Sequence, residues 1–84
     1  IKVNMAGFDK SLDKEIFSTK KEYETTRLVV SVMAYNEGQP KLQIARENLD
    51  MNSGDWRWNK LGRLRSEEVD DLQELMNQAK EHLN

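Results

Sequence analysis

Hydrophobic positions alternate through the middle of the chain and switch to helical spacing near its end. In RLVVSVMAY, residues 27–35, an extended backbone directs Leu28, Val30, Val32 and Ala34 to one side and Val29, Ser31, Met33 and Tyr35 to the other. Apolar residues on both sides predict a central strand, partly covered on its second face. NEGQP follows, with a glycine for positive φ and a proline that cannot donate to a ladder, so a turn belongs there. KLQIAREN sets Leu42 and Ile44 against Lys41, Gln43 and Ala45, the pattern of a half-buried strand. MNSGD reads as a second turn. WRWNKLGRLR, residues 56–65, predicts another strand, interrupted at Gly62 by a bulge or a close backbone approach. Upstream, EIFSTKKEYETT holds one more strand, anchored by Ile16 and Phe17. From Val69 onward, Leu72, Leu75, Met76, Ala79 and Leu83 form one apolar stripe, predicting a helix over about 67–83 with Ser66 as its N-cap. The short connections favour an antiparallel meander that ends in the helix.

Length adds a constraint. At 84 residues the chain is one small domain, here taken as residues 14–84, with residues 1–13 set aside as a tail or remnant. A domain of this size buries only about 60% of its unfolded surface. There are no cysteines, which removes disulfides, thiolate zinc sites and cysteine nucleophiles and suits a reducing, cytoplasmic setting. No run approaches the roughly 20 apolar residues of a membrane-spanning helix.

Candidate catalytic chemistry is thin. The single histidine, His82, falls in the last helical turn, without an orienting partner in the sequence. No phosphate-binding loop, nucleophile elbow or zinc-protease motif occurs. Glu67, Glu68, Asp70 and Asp71 lack the spacing of a calcium loop, and a solvated helix N-terminus accounts for them. The expectation is a non-enzymatic protein without cofactor or metal.

Charge changes the picture. The net charge is −2, yet residues 66–84 hold six carboxylates and one lysine, whereas residues 41–65 hold six cations and three acids. From Trp56 to Arg65 there are four cations, two indoles and no carboxylate. Cations neutralise phosphates, and aromatic faces stack unpaired bases, so this mixture points to single-stranded nucleic acid. The candidate contacts are Tyr35, Lys41, Arg46, Trp56, Arg57, Trp58, Lys60 and Arg63. Strand parity places Trp56 and Trp58 on one face and Arg57 on the other. The indoles therefore serve either the core or a ligand, depending on which face the helix covers; Tyr35 either stacks a base or caps the core.

RLVVSVMAY, a glycine turn, KLQIARE, a second turn and NKLGRLRSEEVDDLQELM together resemble the positive-cofactor-four family of single-stranded DNA-binding transcriptional coactivators. The shared features are a strand ending in Arg46 and Glu47, a fourth strand with Lys60 and Gly62, and a helix opening of Leu64, Ser66, Glu67, Glu68, Val69 and Leu72. KEIFSTK is also similar to the opening of Pur-alpha-type domains. The likeness spans about residues 27–80. It implies an α+β fold, a curved four-stranded antiparallel sheet followed by one C-terminal helix (ββββα), assembled as a homodimer. It also implies low-specificity binding of single-stranded DNA or RNA, with Arg46, Lys60 and Arg63 on phosphates. The alternative is a dimeric protein-interaction module whose cations are paired across strands with Glu47, Asp50 and Asp55.

Overall fold

The structure, a computed structural model, describes residues 9–84. A 3-10 turn at Lys10–Leu12 leads into strand β1 (Asp13–Glu22). Then follow β2 (Thr26–Tyr35), β3 (Lys41–Leu49), β4 (Trp56–Asn59) and helix α1 (Ser66–Lys80). The strands pair antiparallel in the order β1-β2-β3-β4, an open meander with α1 on one face. The predicted ββββα architecture is the observed one. Lys10–Asp13, assigned to the tail by sequence, lead directly into the sheet. Asp9 donates its N–H to the Tyr35 hydroxyl oxygen at 2.9 Å, and Asn36 donates to the Leu12 carbonyl at 2.7 Å. The remainder of that tail, residues 1–8, lies outside the described residues.

The alternation in β2 decides the sides. Leu28, Val30 and Val32 are fully buried and pack against Leu72, Leu75 and Ala79 of α1. Register places Arg46, Ile44 and Leu42 of β3 opposite these three, on the same helix-covered face. Leu42 and Ile44 join the core edge together with Phe17, Leu61 and Leu64. In β1, the register shifts between Glu15 and Phe17, so Ile16 sits in a bulge and is exposed while Phe17 turns inward. Only Phe17 of the two expected anchors is one. Its ring stacks on His82 with centroids 4.0 Å apart.

Three local expectations are corrected. In the β2–β3 turn, positive φ falls on Asn36 and Glu37 (51° and 60°), as in a type I′ turn closed by Gly38 N–H on the Tyr35 carbonyl at 2.8 Å. Gly38 serves close approach instead, since a Cβ there would lie 2.9 Å from that carbonyl oxygen. The last strand stops at Asn59, not Arg65. Asn59 Oδ1 takes the Lys60 N–H, Gly62 adopts φ 66°, and Leu61 and Leu64 turn toward the core. The helix cap is Arg65 rather than Ser66, because its N–H is taken by Glu68 Oε1 at 2.9 Å. The helix ends at Lys80, and Glu81 and His82 close back onto the Ala79 carbonyl.

Glu68 is the other departure from expectation. Its side chain is 3% exposed, not solvated, and Oε2 accepts from Arg46 Nη1 at 3.0 Å. The same guanidinium donates to Thr26 Oγ1 and to the Leu61 carbonyl, with a long contact to the Arg63 carbonyl. One arginine thus joins β3, the start of β2, the 61–63 connection and the first turn of α1. Tyr23 donates its hydroxyl to Asp71 at 2.7 Å, and Thr19 donates to Gln78 at 2.8 Å, tying β1 and the β1–β2 turn to the same helix. Burial and the Asp71 bond push the Tyr23 hydroxyl pKa up, so it stays protonated and able to donate.

The Arg46 bond, then the Arg65 N–H, hold the Glu68 carboxyl below its ordinary range. The charged form therefore contributes stability above its unfolded pKa, and that contribution is lost as pH falls through the folded value. Glu68→Gln leaves a nearly buried guanidinium without its counter-charge and should cost about 3 kcal/mol in urea melts. The acid-side loss of stability should shrink in the variant. An unchanged midpoint and pH profile would remove the pair from its central role.

Candidate nucleic-acid interface

With α1 on the even-residue side of β2, the uncovered face carries Arg27, Val29, Ser31, Met33 and Tyr35. Pairing adds Lys41, Gln43, Ala45 and Glu47 from β3, opposite Met33, Ser31, Val29 and Arg27. On β1, Ser18, Lys20 and Glu22 lie opposite Ser31, Val29 and Arg27, and before the bulge Asp13 and Glu15 lie opposite Tyr35 and Met33. In β4, Trp58 faces Glu47 and Trp56 faces Leu49, so both indoles belong to this uncovered face. Arg57 and Asn59 point to the other side, as parity requires. The question left open by the alternation is settled: neither tryptophan belongs to the core beneath the helix.

The two rings differ. Trp58 is 70% exposed, a large apolar surface left to solvent on a strand. Trp56 is half-buried beneath the Arg27 guanidinium, whose central carbon lies 4.3 Å from the ring centroid. Arg27 is held in turn by Glu47, Nε to Oε1 at 2.7 Å, and by Glu22 at 3.3 Å. The result is a fixed stack in which carboxylates orient a cation and the cation covers one face of an indole. A stationary ring with one protected face is a platform at low entropy cost. Arg27 escaped the basic-cluster reading because it lies far from residues 56–65 in sequence. Its parity with Val29 and Ser31 was the available signal.

The predicted cations separate. Arg46 lies on the helix-covered face, and its bonds bind the fold together. Arg57 donates Nε to Asp50 Oδ2 at 2.9 Å across the β3–β4 turn. That contact and the Asn52 and Ser53 N–H groups hold the Asp50 carboxyl below its ordinary range. Lys41, Lys60 and Arg63 are exposed and make no ion pair among the described residues. Of these three, only Lys41 is in the sheet; Lys60 and Arg63 lie on the connection between β4 and α1. Tyr35 ends β2 on the uncovered face, 38% exposed, with its hydroxyl engaged by the Asp9 N–H. The eight predicted residues therefore do not form one cluster. Tyr35, Lys41, Trp56 and Trp58 share a face, and Arg46 and Arg57 do not join them.

No cluster of metal-ligating side chains occurs among the described residues, and no helix there is long and apolar enough to cross a membrane. Comparison with protein-family models, curated proteins and solved structures found no significant match to this chain.

Exposure sets the cost of removing each ring. Trp58→Ala should change the unfolding free energy by no more than about 0.5 kcal/mol, the usual range for surface positions. In a Trp56→Phe background, the remaining Trp58 emission should be red-shifted and readily quenched by acrylamide. Blue-shifted, protected emission would show that Trp58 is covered.

Proposed function

We propose that the protein binds single-stranded nucleic acid on the uncovered face of its sheet, without catalysis. The observation that carries this reading is the exposed Trp58 beside the Arg27-backed Trp56, both on the side that α1 leaves open. A base-sized aromatic surface, presented on a rigid strand, suits stacking with unpaired bases. Such stacking contributes roughly 1–3 kcal/mol per base and tolerates any base. Tyr35 lies toward the opposite end of the face, with Met33 and Val29 between. The ligand would thus cross the strands from the indoles toward Tyr35 and Lys41. The resemblance to the positive-cofactor-four and Pur-alpha-type families agrees with this use of a sheet. A homodimer, which those families imply, belongs to the same proposal.

The charge distribution supports a second reading, a protein-interaction module. The face pairs Arg27 with Glu47 and Glu22, and the neighbouring Arg57 is taken by Asp50. Asp13, Glu15, Glu22 and Glu47 on this face outnumber Lys20, Arg27 and Lys41, so no continuous cationic track runs along it. Nucleic acid held here depends more on stacking than on counterion release. The salt dependence should accordingly be shallower than the basic sequence cluster suggests.

Fluorescence anisotropy with a labelled oligothymidine separates the two. Binding at micromolar protein is expected, with a log–log salt slope of about −1.4 to −2.1, corresponding to about two or three neutralised phosphates. Trp58→Ala should weaken it by about five-fold or more at unchanged stability. No anisotropy rise in low salt, with the protein folded, would leave the interaction module as the reading.

A further inference from the structure

At the end of the uncovered face away from the indoles lies a recess of about 410 Å³, lined by Asp13, Met33, Tyr35, Gly38, Gln39 and Lys41. It is built by three adjacent strand ends. Asp13 of β1 pairs with Tyr35 of β2, and Met33 of β2 pairs with Lys41 of β3. The type I′ turn carries Gly38 over its rim, and Gly38 cannot gain a side chain without meeting the Tyr35 carbonyl. The Asp9 N–H fixes the phenol end of Tyr35, so the wall is positioned before any ligand arrives. The volume falls within the range of small-ligand sites, about 300–1,000 Å³.

The polar groups at this recess are of opposite charge. Asp13 and Lys41 make no ion pair with one another or with any other described residue. Between them on β2 lies the Met33 thioether, a polarizable surface on which a planar ring can rest. A planar ligand with two adjacent donors on one edge and acceptors on another satisfies both charges. Among the nucleobases, guanine alone has this pattern. N1–H and N2–H₂ form the donor pair that a carboxylate accepts with both oxygens, and O6 and N7 accept from an ammonium. Cytosine, adenine and thymine each offer a single donor group to a carboxylate.

We propose that this recess seats a guanine of the bound strand, with Asp13 reading its donor edge and Lys41 its acceptor edge. The inference rests on the sheet-face reading above and gives it a base preference at one position. Lys41 and Glu47 are six residues apart on β3, about 20 Å at ~3.4 Å per residue. The recess and the tryptophans therefore engage different nucleotides of one strand.

Three labelled oligonucleotides test it: oligothymidine, the same strand with one guanine, and the same strand with inosine at that position. The guanine strand should bind about five-fold tighter than the other two, because inosine lacks the N2 amino group. Asp13→Asn should remove that difference while leaving oligothymidine affinity and the thermal midpoint unchanged. Equal affinities for all three strands would overturn the guanine site and leave the sheet-face reading standing. A guanine preference that survives Asp13→Asn would overturn the assignment of Asp13. Failure of every strand to bind would overturn the sheet-face reading itself, and the recess with it.

Discussion

The arrangement depends on one buried ion pair. Arg46 leaves β3 on the helix side, between Leu28 of β2 and Asn59 of β4, and it persists there because Glu68 supplies a counter-charge at 3.0 Å. Thr26 Oγ1 and the Leu61 carbonyl accept from two more of its N–H groups, and the Arg63 carbonyl lies 3.5 Å from Nη2. Taking such a pair out of water carries a penalty that offsets much of its attraction. Its consequence is positional: it ties the 61–63 connection and the first turn of α1 to β3, on the face that the alternation in β2 marks for the helix. Leu72, Leu75 and Ala79 then meet Leu28, Val30 and Val32, and the other face is left without a covering layer.

The uncovered face acquires its character from that choice. Strand parity sends Trp56 and Trp58 outward together with Arg27, Met33 and Tyr35, and sends Arg57 to the opposite side. Aromatic surface is thereby concentrated where cations are few and mostly paired. In the proposed function, stacking contributes more than phosphate neutralisation, and the recess bearing one carboxylate and one ammonium is the proposed place for base discrimination. The small residues Ser31 and Ala45 are nearly buried in the middle of this face. Together they leave the centre low between the indole end and the Tyr35 end.

Much of the fold was legible in the sequence because period and face are written in side-chain alternation. Leu28, Val30 and Val32 marked the covered side of β2, and the Val69–Leu72–Leu75–Ala79 spacing marked the helix that covers it. What the pattern hid were interactions between residues distant along the chain. Arg46 read as a phosphate contact because nothing local shows that Glu68, 22 positions later, reaches it. Glu68 itself read as one of four solvated acids. Arg27 was overlooked as the cation that backs Trp56, since only the β2–β3–β4 register brings the two together. Gly38 signalled a turn, but its role is close approach; Asn36 and Glu37 carry the left-handed backbone. For the candidate site, parity revealed that the two indoles share a face, and only the helix's position could say which face it was.

The central claim is that the side of the sheet opposite α1 is the ligand-binding surface, and amide and indole chemical-shift mapping tests it most directly. Titration of isotopically labelled protein with unlabelled single-stranded DNA should move the indole N–H signals of Trp56 and Trp58 and the amides of β2 to β4. Signals from the exposed side of α1, such as Asp70 and Gln73, should stay in place. Shifts confined to α1 or to the β3–β4 turn, with both indole signals unmoved, would contradict the account.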